Sequence, residues 1–537
     1  MKDSNFNRRE FIKSMGTAAA ALTLPAWVSS CSSNSKRPNI LYIMSDDHAF
    51  QAISAYGSKL VKTTNIDRIA GEGIRFNRSF VTNSLCAPSR AVLLTGKYSH
   101  KNGLRDNRDH FDGSQVTFPK LLQKAGYQTF MIGKWHLKTA PTGFDDWKIL
   151  VGQGSYYNPE LIENGEKKKH IGYTTDLLTD IAIDELDHRD PEKPFCMLLH
   201  HKAPHRNWMP SPKYMDAYNG KELPLPETFY DDYATRSAAA READMRIENM
   251  FLSDDMKLNK GYYQKETGTG GHAAAAKKIE KEWENELNSL TEEQRKAWDA
   301  HYNKVNEEFK KKKLSGDALL RWKYERFIKD YLSCILSVDE SVGRVLDYLD
   351  KNGLAENTIV VYTSDQGFYL GEHGWYDKRF MYEESLRMPL MLRYPKEVKP
   401  GRVSDAMVLN LDFAPTFLDY AEVKAPAEMQ GESFRAIARG EKPGDWRTSM
   451  YYHYYEYPQG WHNVKRHYGV RTQRYKLIHF YYDIDAWELY DLEKDPHELN
   501  NVYGDPGYAA IVKQLHTELE RLRKKYGDTK KDDDLKK

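Results

Sequence analysis

The run SLCAPSRAVLLTG, from Ser84 to Gly96, sets a cysteine, a proline and an arginine at the mouth of a predicted helix. Pro88 suits a first helical turn, where its missing N–H costs nothing. Cys86 is thereby placed near a helix N-terminus, whose partial positive charge and free N–H groups favour an anionic substrate or a thiolate. Two other stretches bring hard oxygen donors. PNILYIMSDDH ends in Asp46 and Asp47, and NTIVVYTSDQGF carries Asp365 and Gln366. Together these four suit a divalent ion such as calcium. Cationic and proton-transfer groups follow in three further runs: GKWHL offers Lys134 and His136, HHKAPH offers His205, and HGWYDKRFMYEES offers Lys378. His200 and His201 have no assigned role.

These residues need elements that bring them together. PNILYIMS and NTIVVYTS are continuous apolar runs, the pattern of parallel strands covered on both faces. YQTFMIGKWH (Tyr127 to His136) and PFCMLLHHKAPH (Pro194 to His205) have the same pattern, and each is followed by polar residues. In open α/β sheets, ligand sites gather beyond the carboxyl ends of the strands. Between the strands, apolar Phe327, Tyr331, Ile335, Val338, Val342, Val345 and Leu349 repeat at steps of three and four and stop at Asn352 and Gly353, which predicts a helix packed on the sheet. From about 235 to 317 the composition turns to Ala, Glu and Lys with a break near Gly268 to His272. This reads as a helical insertion that is peripheral or shapes the cleft, with no chemistry of its own. Past about Gly431, SMYYHYYEY, YGVRTQRYKLIHFYY and AWELYDLEKDP predict a smaller sheet domain, and residues 526–537 read as a disordered charged tail.

The 537 residues carry 79 Lys plus Arg against 78 Asp plus Glu, so no global field recommends nucleic acid, and any anion site must be local. The aromatic content of 12% includes 36 tyrosines, whose flat apolar faces and polar edges are common at sugar-binding surfaces. NRREFIK followed by TAAAALTLPAW resembles a twin-arginine export signal and is too short to span a membrane. VSSC, ending at Cys31, resembles a lipobox, so residues 1–35 read as an export signal and lipoprotein tether. The expected location is periplasmic or anchored to the outer membrane, with the lipid as the only membrane attachment. Of the four cysteines, Cys86, Cys196 and Cys334 remain, an odd number that rules out a disulfide framework. Cys196 and Cys334 lie in apolar contexts and read as buried thiols.

CAPSR followed by Leu94, Thr95 and Gly96 resembles, over its whole length, the signature of the formylglycine-dependent (type I) sulfatases. The resemblance extends from Pro38 through GFDDW, DFAPTFLDYA and ELYDLEKDPHELNN. It implies an alkaline-phosphatase-like α/β/α sandwich with a large, mostly parallel mixed sheet spanning 36–430, and a smaller α+β subdomain with an antiparallel sheet over 431–525. It also implies oxidation of Cys86 to formylglycine by a dedicated maturation enzyme. A hydrated aldehyde has two hydroxyls: one attacks sulfur, and the other later expels sulfate by breaking C–O, whereas a thiol or serine would become stuck.

By the same resemblance Asp46, Asp47, Asp365 and Gln366 hold calcium, or alternatively magnesium, with the residue derived from Cys86 as a further ligand. Arg90 and Lys134 orient the hydrate, His136 is the base that triggers sulfate release, His205 protonates the leaving alcohol and Lys378 binds a sulfate oxygen. A unit charge about 4 Å from the sulfate contributes roughly 4 kcal/mol at a surface-like dielectric, so several cations together could hold the ester against water. HHKAPHRNWMP, the insertion and WHNVKRHYGVRT are similar to bacterial sulfatases acting on 6-sulfated N-acetylglucosamine in host glycans of glycosaminoglycan or mucin type. His453, Glu456, Trp461, His462 and His467 are then the candidate sugar readers. Three alternatives stay open at this point: a sulfatase of another sugar or position, a phosphodiesterase or phosphonate hydrolase of the same superfamily, and a sulfated-glycan-binding surface lipoprotein without activity.

Overall fold

Seven consecutive residues, NILYIMS, are buried without a break, which a strand tolerates only when both sheet faces are covered. In the computed structural model this strand, β1 (Asn39–Ser45), is central to a ten-stranded sheet. Residues 37–263 and 271–535 are described; the stretch read as an export leader, Cys31 and most of the Gly268–His272 break lie outside them. The other strands are β2 (Ile74–Phe76), β3 (Gln128–Gly133), β4 (Asp146–Leu150), β5 (Glu160–Glu163), β6 (Glu166–Lys169), β7 (Phe195–His200), β8 (Thr358–Ser364), β9 (Leu390–Arg393) and β10 (Arg402–Ser404). Their order is β10-β2-β9-β8-β1-β7-β3-β4-β5-β6. The stretch from β8 to β4 is all parallel, and antiparallel pairs occur only outside it.

Alternate residues of each central strand feed two cores. Leu41, Ile43, Met197, Leu199 and Val360 face α1 (Thr64–Gly71), α4 (Thr174–His188) and α7 (Gly316–Lys351). Ile40, Tyr42, Cys196, Leu198 and Ile359 face α2 (Cys86–Thr95), α3 (Phe118–Lys124) and α8 (Phe413–Tyr420). This is the α/β/α sandwich. α7 contains the predicted apolar repeat, starts earlier than its first member Phe327, and ends at Lys351 with Gly353 at φ 66°. Cys196 and Cys334 are buried free thiols on opposite faces of the sheet.

Strand register sets the site. Ser45 pairs with Ser364, so Asp46–Asp47 and Asp365–Gln366 leave the sheet side by side. His200 pairs with Gly133 of β3, and Met44 with His200, which brings the Lys134 and His205 segments to the same edge. Gly133 adopts φ 98°, and a Cβ there would lie 2.0 Å from the His200 carbonyl oxygen, so only glycine can precede Lys134.

The insertion contains α5 (Gly271–Asn288) and α6 (Glu292–Lys312), with Trp283 and Trp298 in the same core as α7. The three aromatic stretches near the C-terminus form four antiparallel strands: β11 (Ser449–Tyr454), β12 (His467–Thr472), β13 (Tyr475–Phe480) and β14 (Ala486–Asp491). This sheet packs on Leu515, Leu519 and Leu522 of α9 (Ala509–Tyr526) and shares its core with Trp375, Phe380 and Tyr382. The expected charged tail differs at its start, because Tyr526 and Asp528 are buried and Asp528 bonds His453. Among the described residues no helix is long and apolar enough to cross a membrane.

Candidate active site

α2 begins at Cys86 because Leu85 is extended and Pro88 fills the first turn. The thiol lies 3.3 Å from Asp46 Oδ1 and 3.8 Å from Gln366 Nε2. It is not the thiolate expected of a helix start: burial pushes the thiol up to about 12, beyond what Lys378 and Arg90 can offset. A cysteine so protonated is a poor nucleophile at neutral pH, which fits a residue that acts only after modification.

Carboxylate oxygens of Asp46, Asp47 and Asp365 lie within 4.8 Å of one another. Gln366 donates Nε2–H to Asp47, leaving its Oε1 buried without a hydrogen-bond partner among the described residues. Three hard carboxylates and an unspent amide oxygen make a donor set that fits a divalent cation of the calcium or magnesium type. Three cations interlock with these acids. Lys134 Nζ contacts Asp46, Lys378 Nζ lies 2.7 Å from both oxygens of Asp47, and Arg90 Nη2 is 3.0 Å from Asp365 and 3.6 Å from Asp46. Arg90 also donates to the Lys134 carbonyl at 2.5 Å, tying α2 to the end of β3. Burial raises the Asp47 carboxyl to about 6 against the pull of Lys378.

Two histidines complete the floor. His205 donates Nδ1–H to the Arg206 carbonyl at 2.6 Å, and its Nε2 is 3.7 Å from Asp47. His136 is nearly buried, and its Nδ1 has no partner among the described residues. Burial, then the neighbouring lysines, holds both rings well below the usual histidine range, so both are neutral.

The floor opens into a cavity of about 380 Å³ lined there by Asp47, Cys86, His205 and Lys378. One wall carries Asp377, Arg379, Trp461 and His462. Asp377 accepts from His462 Nε2 at 2.8 Å and lies 3.5 Å from Arg379 Nε. Burial works against the Asp377 carboxylate, but Arg379, Lys378 and His462 hold it well below its usual range; burial lowers His462 to about 4. The wall therefore presents a carboxylate beside a guanidinium, an acceptor next to donors, as vicinal hydroxyls require. Asp47, His136, Asp377, Arg379 and His462 all have φ between 58° and 98°, backbone strain concentrated where side chains are aimed at one point.

The candidate sugar readers divide. Trp461 and His462 line the cavity, and Glu456 sits behind it, paired with Arg379. His453 and His467 do not reach it. His453 is buried in β11 between Asp528 at 2.7 Å and Tyr481 at 2.8 Å, and His467 accepts the Met381 N–H. Both are structural, because the smaller sheet is covered on both faces. The insertion does more than expected: Ile279, Glu282 and Glu286 of α5 and Asp254 form the opposite wall, where Asn207 bridges Asp254 and Glu286. Asp377 and Arg379 were missed as site residues although they flank Lys378 in the run DKR.

A sulfatase family model matches residues 38–423, and a model described as N-sulphoglucosamine sulphohydrolase, C-terminal, matches 371–525. The chain is 50% identical over 524 residues to an N-acetylglucosamine-6-O-sulfatase of Bacteroides thetaiotaomicron, covering 96% of this chain and 91% of that protein. It is 27% identical over 446 residues to the N-acetylglucosamine-6-sulfatase of Homo sapiens, covering 78% and 67%. A solved structure described as in complex with its substrate D-glucosamine-2-N,6-O-disulfate superposes with a TM-score of 0.88 at 51% identity, covering 93% of this chain and 99% of that one. The phosphonate monoester hydrolase of Agrobacterium radiobacter, at 21% identity, TM-score 0.62 and coverage of 91% and 96%, shares the fold. The chain belongs to the sulfatase family and is a sulfuric ester hydrolase with the alkaline-phosphatase-like fold.

Proposed function

We propose that this enzyme removes the 6-O-sulfate from a terminal N-acetylglucosamine, or its N-sulfated counterpart, in host glycosaminoglycan or mucin-type glycans. The observation that carries the reading is the close likeness to the enzyme solved with D-glucosamine-2-N,6-O-disulfate. The paired acceptor and donors of Asp377 and Arg379 beside the Cys86 floor support it.

Asp46, Asp47, Asp365 and Gln366 would hold a calcium ion, which with a formylglycine at residue 86 would supply the activated oxygen nucleophile and charge neutralisation. The chain's own residues do the rest. Lys378 Nζ, facing the cavity, holds a sulfate oxygen while keeping its pair with Asp47. Arg90, tied to Asp46, Asp365 and the Lys134 carbonyl, fixes the carboxylates and the start of α2 relative to each other. His205 has spent its Nδ1–H on Arg206, so Nε2 is the atom that exchanges protons with the substrate. Burial, aided by the lysine field, keeps this ring neutral in the free enzyme; an anionic ester beside it favours the charged form, so Nε2 takes up a proton from solvent and passes it to the departing sugar O6. His136, neutral and with Nδ1 unspent, receives the proton lost when sulfate leaves.

The protein is proposed to be exported, lipidated at Cys31 and matured at Cys86 by a formylglycine-generating enzyme. The test is turnover of matured protein on 2-, 3-, 4- and 6-sulfated monosaccharides beside matching phosphate esters. The expected result is hydrolysis of 6-sulfated N-acetylglucosamine alone; activity confined to galactose or uronic acid sulfates would overturn the substrate assignment.

A further inference from the structure

A second cavity of about 580 Å³ lies next to the active site, lined by four basic and three acidic side chains around a tyrosine. Arg105, Arg108, Arg466 and Lys530 surround it, and the almost fully buried Tyr455, whose hydroxyl neighbours Asp528, contributes its ring. Arg105 lies over the Tyr455 ring at 5.9 Å. Arg466 is anchored by Nε on the Tyr457 carbonyl and by its guanidinium over Tyr482 at 4.6 Å.

Acids are present, but all three have partners of their own. Asp106 is paired with Arg108, and Asp109 accepts the backbone N–H groups of Arg105 at 2.8 Å and Asp106 at 3.2 Å. Asp534 is the third. Neither Arg105 nor Lys530 has an ion pair among the described residues, so the cavity holds cationic charge available to a ligand.

The two cavities are built back to back from the same two segments. In the segment 105–109, Asn107 lines the catalytic cavity and accepts the Ala87 N–H beside Cys86, whereas Asp106 and Arg108 line the second one. At the end of β11, Glu456 holds Arg379 of the catalytic cavity while Tyr455 lines the second. A glycan whose terminal sugar occupies the first cavity therefore has the second within the reach of its following residues.

We infer that this cavity is a second binding site, which takes an anionic substituent, sulfate or carboxylate, on the glycan chain beyond the sugar being desulfated. The inference rests on the proposed action on sulfated glycans. It makes the enzyme one that grips a polymer and does not merely accept a monosaccharide. Guanidinium groups suit this task because they bind sulfate and carboxylate oxygens in pairs. The tyrosine adds an apolar face for the sugar carrying the anion.

The test compares wild type with the double variant R105E/K530E on two probes: 6-sulfated N-acetylglucosamine, and a sulfated glucosamine–uronate hexasaccharide with the same terminal sugar. Turnover of both is measured, as is direct binding of the hexasaccharide by calorimetry at low and at moderate salt. The expected result is hexasaccharide binding about tenfold weaker in the variant and less dependent on salt, with monosaccharide kcat and KM within about twofold of wild type. Equal hexasaccharide binding by variant and wild type, or equal losses on both probes, would overturn the inference. Failure of the wild type to hydrolyse the monosaccharide would instead remove the proposed function, while the binding arm still reports on the cavity.

Discussion

His453 provides a sharp test of its role, because a sugar reader and a buried structural histidine respond oppositely to mutation. Burial lowers its ring to about 4, against the pull of Asp528, so it is neutral in the folded protein at pH 7. In the unfolded chain it titrates near 6.5. A folded value below the unfolded one means that this contribution is fully present above pH 6.5 and lost as pH falls from 6.5 towards 4. At pH 5 the loss spans 1.5 pH units, and at about 1.4 kcal/mol per unit it amounts to about 2 kcal/mol. Asp528 adds little in this window. Burial opposes its carboxylate but the bond from His453 holds it low, so its share is lost only below the unfolded Asp value near 3.8.

The perturbation is His453→Gln, whose amide is neutral at every pH and can still donate to Asp528. The assay is urea unfolding at pH 8 and pH 5, read through the midpoint at constant slope. The variant is expected to be less stable at pH 8, yet to lose about 2 kcal/mol less than wild type between the two pH values. Its kcat/KM should stay within about twofold of wild type, as befits a residue outside the cavity. An unchanged pH dependence of stability, or a rise in KM with stability intact, would refute the reasoning.

Cys86→Ala should abolish ester hydrolysis while leaving the fold intact, checked by turnover alongside thermal unfolding; retained activity would exclude residue 86 as the source of the nucleophile. Removing divalent ions with a chelator should silence the enzyme, and calcium should restore it, a recovery that Asp365→Asn should impair. Glu456→Gln removes one of the two carboxylates beside a buried guanidinium, leaving Asp377, so it should cost about 2 kcal/mol in urea unfolding and raise KM more than it lowers kcat. Trp461→Ala, at a side chain 43% exposed on the cavity wall, should raise KM several-fold with stability within about 0.5 kcal/mol of wild type.

The parts of the site that were legible in the sequence are those tied to strands. NILYIMS and TIVVYTS are apolar without interruption, so their ends are visible, and parallel register brings the acids after them together. The wall of the cavity was less legible because loops have no period. Asp377 and Arg379 are turned inward by left-handed backbone, which no spacing of side chains announces. His453 and His467 differ for another reason: the resemblance places them in loops that close the pocket, but they lie in strands β11 and β12, within the core that α9 and the Trp375–Tyr382 segment share. Asp528 was hidden within DTKKDDDLKK, where one partnered acid looks like its solvated neighbours.

The floor of the catalytic cavity is made by the sheet ends and α2, whereas part of its walls comes from an inserted helix and from a turn of the smaller sheet. Asp377 and Arg379 are bound to the reaction by flanking Lys378, but the rest of recognition resides on separable stretches of polypeptide. A lineage could exchange the inserted helix or the turn carrying Trp461 and acquire a new sugar preference while every group that touches sulfur stays in place. Diversification of such enzymes across glycans then requires only the remodelling of borders, and a chimera carrying a relative's border segments should inherit that relative's selectivity with its own turnover chemistry.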